Sequence, residues 1–181
     1  QGGGFSFSGQ WPLTRIATNP AVINEPVFSN VKGTIAMAKI GGSPNSATDQ
    51  WFFNLVNNSG GSPKLDTENG GYTVFGQVIG DGMTVVEQIA GLTLCQNIPM
   101  IDYSSQNCSD QTTPGIENFV VINQIIIIDS SEVTDADLSP IKNTLLPDVN
   151  TPEQSSGGGV FLWLSMFGLF LLSVRKSSVQ Q

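Results

Sequence analysis

The stretch that decides the fold is PNSATDQWFFNL, residues 44–55. Its aromatic run suits a buried β-strand, yet a glutamine precedes the run and an asparagine follows it. Alternate side chains of a strand point to opposite faces. One face carries Gln50, Phe52 and Asn54, and the other carries Trp51 and Phe53. The stretch therefore predicts a two-sided strand, with one apolar face for packing and one mixed polar and aromatic face.

Strand patterns flank this stretch on both sides. GTIAMAK, from Gly33 to Lys39, alternates small and larger apolar residues, and YTVFGQVI, residues 72–79, is rich in β-branched and aromatic residues. FVVINQIIIID, Phe119 to Asp129, is predicted as a further strand for the same reason. MTVVEQIAGL, residues 83–92, has apolar residues at helical spacing, and an aspartate precedes it. These patterns indicate a mainly β protein with one helix.

The composition excludes several kinds of site. The 181 residues include 15 acidic and 7 basic side chains, a net charge of -8, which argues against a nucleic-acid interface. There is no histidine, so a Ser-His-Asp triad and a histidine-built metal site are excluded. Cys95 and Cys108 are too far apart in sequence for a CxxC motif. They form one disulfide in an oxidising compartment, or they remain two unpaired thiols.

The composition changes after residue 129. Residues 130–159 are acidic, contain three prolines and end in SSGGG, which predicts a solvated linker. Residues 160–174, VFLWLSMFGLFLLSV, carry no charge and are followed by a basic and polar tail, residues 175–181. A helix of that length measures about 22 Å, against about 30 Å for the hydrocarbon core of a bilayer. We expect membrane insertion rather than a buried core helix, with the basic tail in the cytoplasm.

Five motifs occur in an order and spacing that resemble the cyclophilin family of peptidyl-prolyl cis-trans isomerases. They are GTIAMAK, PNSATDQWFFNL, KLD, GGYTVFGQV and GDGMTVVEQI, within residues 1–129. The resemblance implies a cyclophilin-like closed antiparallel β-barrel with a capping helix and an outer substrate groove. QGGGF, residues 1–5, is similar to a stretch in the middle of that barrel. We therefore expect the barrel to be incomplete at the N-terminus, with its leading third upstream of Gln1.

The resemblance also assigns the catalytic role to an arginine. Neither Arg15 nor Arg175 occupies the matching motif position, so we expect that arginine upstream of Gln1 as well. Gln1 itself matches a glutamine that orients the arginine and contacts the substrate. The three glycines after it permit a close approach of the backbone, or they form a plain turn.

The resemblance implies a substrate groove built around the polar and aromatic face of the central strand. The residues that it assigns to substrate binding are Ala38, Lys39, Ile40, Gln50, Phe52, Leu65 and Tyr72. Phe52 would form the floor of a proline pocket, beside Gln50, while the backbone at Lys39 would pair with the peptide as in strand addition.

Each of these assignments has an alternative. All three aromatics of the run could lie in the core, and Leu65 and Tyr72 could be ordinary packing residues. If the resemblance assigns the groove correctly, only Trp51 and Phe53 of the aromatic run fill the barrel core. Lys64 stands where several relatives have an aromatic residue at the rim, so we expect no stacking there.

The C-terminal order of glycines, apolar run and basic pair resembles the Gly-Gly type of sorting signal on exported proteins of Gram-negative bacteria. Such a tail is a transient anchor that a rhomboid-like membrane protease removes; a permanent anchor is the alternative. Together the features predict an exported, monomeric prolyl isomerase that needs no cofactor or metal. It would act on X-Pro bonds of extended or unfolded polypeptides, facing the periplasm or the cell surface.

Two other functions remain open. One is a non-catalytic module that binds proline peptides and is tethered to the membrane, and the other is a membrane-tethered structural protein. For residues 1–181 alone we expect no catalysis, and we expect unpaired strand edges that favour aggregation.

Overall fold

The computed structural model describes residues 1–131 and 138–146. The protein divides into one unit over Gln1–Pro147 and a second over Asp148–Gln181, and the second lies outside the described residues. The predicted membrane segment 160–174 and the tail 175–181 fall within that second unit. Within the described ranges, no helix has both the length and the apolar character needed to cross a membrane.

The described elements are mainly short antiparallel strands with few helices, which confirms the predicted class. The strands are β1 (Phe5–Ser6), β2 (Thr14–Arg15), β3 (Thr34–Met37), β4 (Trp51–Phe53), β5 (Val74–Gln77), β6 (Thr93–Cys95) and β7 (Ile98–Met100). The helices are α1 (Gly82–Ala90) and α2 (Ser105–Ser109), with single 3-10 turns at Glu68–Gly70 and Ile116–Asn118. The predicted strands around β3, β4 and β5 and the predicted helix α1 are confirmed.

The central sheet has the order β4-β3-β5, with β3 in the middle. Ala36 of β3 is fully buried and lies opposite Phe52 on one side and Val74 on the other. The register between β3 and β5 shifts after Ile35, so Phe75 has no partner opposite it and its side chain is exposed. A small residue at position 36 allows the aromatic strand to pack closely against the middle of the sheet.

A second packing centre surrounds the hairpin of β6 and β7. Cys95 and Cys108 are joined by a disulfide, with 5.6 Å between their Cα atoms. Met100, Tyr103 and Phe119 complete the buried cluster. Partly buried residues from the N-terminal segment, β7 and α2 pack against it: Phe7, Trp11, Leu13, Ile98 and Cys108. The crosslink therefore lies within the main apolar cluster of the described residues rather than on a loose loop.

The expected closed barrel is not found in residues 1–131 and 138–146, where the strands form three separate antiparallel sheets. The prediction of a strand over 119–129 is wrong. Phe119 forms an isolated bridge with Met100, and the residues after it belong to no strand. Their side chains are largely exposed, Ile128 at 94%. A strand needs a partner for its backbone N–H and C=O groups, and the described residues offer none here.

Part of the segment predicted as a linker packs on the domain. Residues 138–146, which we call the C-terminal arm, place Lys142 opposite Phe28 in an antiparallel bridge. The N–H of Ser29 donates to the C=O of Ile141 at 2.8 Å, and the N–H of Asn143 donates to the C=O of Val27 at 2.9 Å. This part of the predicted linker is therefore paired to the residues that precede β3.

Candidate functional site

The strand β4 separates its side chains into two sets, as the alternation predicts. Phe52 faces Tyr72, with ring centroids 5.9 Å apart and planes at 78°. Trp51 and Phe53 contact each other edge to face on the other side, with centroids 5.2 Å apart. Neither of these two is fully buried, in contrast to the expected core position, because the described residues form no closed barrel around that face.

The glycine-rich start of the sequence lies directly against β4. Gly2 and Trp51 form an antiparallel bridge, and the Gly2 N–H donates to the Trp51 C=O at 2.8 Å. A Cβ on Gly4 would lie 2.8 Å from the Gln50 side chain, and Gly3 has φ +85°. Of the two roles left open for the glycines, the structure shows the close approach of the backbone, because a larger side chain has no room there.

The bridge brings two glutamines together at one end of the aromatic face. The Gln1 Nε2 donates to the Gln50 Oε1 at 2.6 Å. Both side chains belong to the predicted site, and Gln50 is half-buried whereas Gln1 is exposed. The pair presents amide donors and acceptors beside the Phe52–Tyr72 contact, which suits recognition of a peptide backbone next to an apolar ring.

Lys39 contributes its side chain as well as its backbone. Its Nζ donates to the C=O of Asn69 at 2.9 Å and also to the C=O of Gly71. The same ammonium lies 4.6 Å from the centroid of the Tyr72 ring, a cation–π contact. Partial burial lowers the pKa of Lys39 below its ordinary value, because desolvation disfavours the charged form. The side chain thus ties the 69–72 turn to the end of β3.

The residues directly after β3 differ in whether their backbone N–H and C=O groups already have a hydrogen-bond partner. The Ala38 N–H donates to the Gln50 C=O at 2.9 Å, and the Ile40 N–H donates to the Ser46 Oγ at 2.8 Å. Among the described residues, the backbone N–H and C=O of Lys39 have no hydrogen-bond partner. Of the three residues predicted to pair with a peptide, Lys39 therefore has both backbone groups available for it.

A buried polar network lies behind the predicted proline pocket, and no pattern in the sequence indicated Asp66 or Asn30 as parts of it. Asp66 is 2% exposed, and its carboxylate accepts from the Ser29 Oγ at 2.5 Å, the Asn30 N–H at 2.7 Å and the Asn30 Nδ2 at 3.1 Å. The same Asn30 amide also donates to the C=O of Tyr72 at 3.1 Å. Tyr72 in turn donates its N–H to the C=O of Leu65 at 2.9 Å. The two predicted pocket-lining residues are thus neighbours, held by one buried carboxylate and one buried amide.

Asn54, which ends the aromatic run, belongs to the same network. It is fully buried, and its Nδ2 donates to the Thr34 Oγ1 at 2.8 Å and to the Asn30 Oδ1 at 3.2 Å. Its Oδ1 accepts from the Asn58 Nδ2 at 2.8 Å. The signal in the sequence was the polar residue two positions after Phe52, on the same face of an otherwise aromatic strand.

The described cavities do not coincide with the predicted substrate groove. A cavity of about 290 Å³ lies beside the disulfide, lined by Trp11, Pro12, Cys95, Gln96, Tyr103, Cys108 and Gln111. None of the predicted substrate residues contributes to it. Across residues 1–131 and 138–146, no group of three or more acidic, cysteine or histidine side chains could hold a metal ion. The Phe52 side of β4 is instead a partly exposed surface, on which Phe52 and Tyr72 are half-buried.

The structure is thus a mainly β domain in which the Phe52–Tyr72 contact and the Gln1–Gln50 hydrogen bond involve alternate residues of the β4 segment. The family model of cyclophilin type peptidyl-prolyl cis-trans isomerases matches residues 1–108. The protein therefore belongs to the cyclophilin family.

Two curated relatives bear the family's name. The probable peptidyl-prolyl cis-trans isomerase B of Mycobacterium tuberculosis is 37% identical over 89 residues, which cover 49% of this chain and 25% of that protein. The peptidyl-prolyl cis-trans isomerase B of Escherichia coli is 36% identical over 110 residues, which cover 56% of this chain and 63% of that protein. The sequence thus spans less than two thirds of the length of either relative.

Proposed function

We propose that this protein serves as a peptidyl-prolyl cis-trans isomerase on X-Pro bonds of extended or unfolded polypeptides. The observation that carries the proposal is the Phe52–Tyr72 contact with the Gln1–Gln50 pair beside it, in a member of the cyclophilin family. Rotation about an X-Pro bond crosses a barrier of roughly 18 to 20 kcal/mol that arises from amide resonance. No nucleophile is needed for it, so a site without histidine or a metal is compatible with the reaction.

The residues of the groove divide this task among them. Phe52 and Tyr72 offer an apolar surface for the proline ring, and the backbone of Lys39 offers a donor and an acceptor for the flanking residues of the peptide. Gln50 and Gln1 supply polar contacts next to the ring. A hydrogen bond towards the proline nitrogen, which removes its lone pair from conjugation, completes the catalysis.

We assign that last hydrogen bond to the family's arginine, which matches no position in residues 1–181. Arg15 is the one arginine among the described residues, and its guanidinium lies 5.5 Å from the centroid of the Phe5 ring rather than in contact with Gln1. We therefore propose that residues 1–181 alone bind a proline peptide without accelerating its isomerisation. A non-catalytic binding module is the alternative function that this position of Arg15 favours.

A peptide titration of residues 1–181 tests both parts. We expect the tetrapeptide Ala-Ala-Pro-Phe to shift the amide resonances of Phe52 and Tyr72, and the change Phe52→Ala to weaken binding about tenfold. The matched control is Phe75→Ala, because Phe75 is an exposed phenylalanine on β5, which β3 separates from β4. Exchange spectroscopy on the same samples reports the isomerisation rate. Absence of binding would contradict the proposal, and acceleration by residues 1–181 would contradict the assignment of catalysis to a further arginine.

The location that we propose is outside the cytoplasm. The disulfide between Cys95 and Cys108 supports it, because disulfides persist in oxidising compartments. The uncharged run 160–174, followed by the basic tail 175–181, favours attachment to a membrane with the domain on the outer side. Cleavage near the preceding glycines by a rhomboid-like protease would release it. Fractionation of cells that express the protein with and without residues 160–181 tests the attachment, and equal distributions would rule it out.

A further inference from the structure

The C-terminal arm, residues 138–146, meets the domain next to the groove rather than at a distant surface. Its backbone is paired with Val27 and Ser29 through the two hydrogen bonds described above. Leu146, near its end, approaches the turn that precedes Tyr72 so closely that a Cβ on Gly71 would lie 2.9 Å from the leucine Cδ1. The arm therefore contacts both the segment before β3 and the loop that carries the pocket residues.

Asn143 is the residue of the arm that reaches the polar network. Its Nδ2 donates to the backbone C=O of Asp66 at 2.8 Å. Its Oδ1 accepts from the Leu145 N–H at 3.0 Å, which fixes the orientation of the amide. The side chain is partly buried, so water competes only partly for the contact with Asp66.

The arm acts on Asp66 from two directions. Asn143 binds its backbone oxygen, and the arm also holds the backbone of Ser29, whose hydroxyl donates to the Asp66 carboxylate. Asp66 directly follows Leu65, and the C=O of Leu65 accepts the N–H of Tyr72. The arm thus contacts Asp66, the residue directly after Leu65 of the proposed pocket. Leu65 in turn holds Tyr72, the second pocket residue, through its backbone C=O.

We infer that the C-terminal arm positions the proline-binding loop, and that Asn143 is its positioning residue. The inference rests on the proposed function, because it concerns the same groove. Without the Asn143 amide, the backbone at Asp66 loses a donor, and the 65–72 loop samples positions in which Tyr72 is displaced from Phe52. A peptide then has to order the loop when it binds, so its affinity decreases.

The experiment compares four versions of the 181-residue protein: the unchanged protein, Asn143→Ala, Asn143→Asp and Thr144→Ala. Asn143→Asp keeps the size and the acceptor for the Leu145 N–H but removes the donor to Asp66. Thr144 is an exposed neighbour in the arm, so its substitution controls for a general effect of changing the arm. Each protein is titrated with Ala-Ala-Pro-Phe at a temperature at which circular dichroism shows it to be folded.

We expect both Asn143 variants to bind the peptide roughly three- to tenfold more weakly, and Thr144→Ala to stay within about twofold of the unchanged protein. A merely structural role would lower the midpoint of unfolding and leave the dissociation constant of the folded protein unchanged. That result would overturn the inference while leaving the proposed function intact.

Amide hydrogen exchange at Leu65 and Tyr72 provides a second measurement that does not need the peptide. We expect faster exchange at both amides in the Asn143 variants and unchanged exchange in Thr144→Ala. If the unchanged protein fails to bind the peptide, the proposed function fails, and exchange alone decides the inference. Equal exchange in all four proteins would then refute it.

Discussion

Replacing Asp66 with alanine removes the acceptor at the centre of the buried polar network. The Ser29 hydroxyl and the Asn30 backbone N–H then lose their partner, whereas the Asn30 Nδ2 keeps the C=O of Tyr72. A buried donor without an acceptor costs about 1 to 3 kcal/mol, so two such donors lower the free energy of unfolding by about 4 kcal/mol. The total free energy of unfolding of a small domain is only about 5 to 15 kcal/mol.

Asp66→Asn should cost less, about 1 to 2 kcal/mol. Its amide oxygen still accepts from the Asn30 N–H, and the Ser29 hydroxyl can rotate to accept from the new amide group. Comparing the two variants therefore separates the loss of an acceptor from the loss of a charge.

Urea unfolding followed by tryptophan fluorescence measures both variants, since Trp11 and Trp51 lie in the described domain. Asp81→Ala is the control, because Asp81 is exposed and its side chain makes no capping hydrogen bond to α1. It changes the net charge equally and should stay within about 0.5 kcal/mol. A loss under about 1 kcal/mol in Asp66→Ala, or equal losses in both Asp66 variants, would refute the reasoning.

Three further changes test other contacts. Replacing Cys95 and Cys108 with alanine should lower the free energy of unfolding by about 3 kcal/mol, because the crosslink joins residues 13 apart; scanning calorimetry measures it, and an unchanged midpoint would contradict it. Tyr72→Leu should weaken peptide binding about fivefold while Tyr72→Phe retains it, because the contacts with Phe52 and Lys39 need the ring and not the hydroxyl. Titration calorimetry measures both affinities, and equal values for the two variants would argue against these contacts. The pKa of Lys39 is lower in the folded protein than in the unfolded one. At a pH between these two pKa values the unfolded protein therefore binds more protons at Lys39. In that alkaline window, this group makes the free energy of unfolding rise with pH. Lys39→Met should remove that rise in urea unfolding across the window, and an identical slope in both proteins would exclude Lys39 as its source.

The sequence predicted the elements whose pattern is local. The alternation in 50–54 predicted the two faces of β4, and the helical spacing in 83–92 predicted α1, because both depend on side chains a few residues apart. The placement of Phe52 and Trp51 on opposite faces of β4 followed from the alternation of side chains along a strand alone. The order of motifs predicted the family, and the resemblance assigned both Gln1 and Gln50 to the site, whereas their hydrogen bond was found only in the structure.

Other parts depend on partners distant in sequence, which no local pattern encodes. Residues 119–129 have strand composition but no partner strand among the described residues, so composition alone gave a wrong prediction. The C-terminal arm lies in an acidic, proline-containing segment that predicted a linker, yet it pairs with residues more than a hundred positions earlier. The role of Asn54 was missed for a related reason, because its partners Thr34 and Asn30 come from other segments.

Temperature acts differently on two regions of this domain. Apolar burial becomes a weaker driving force as water is cooled, whereas hydrogen bonds between buried groups have no such dependence on the hydration of apolar surface. The cluster around Met100 and Phe119 relies on the first, and the support behind Phe52 relies on the hydrogen bonds of Asn30, Asn54 and Asp66. Cold should therefore loosen the apolar cluster before it loosens the polar support behind Phe52.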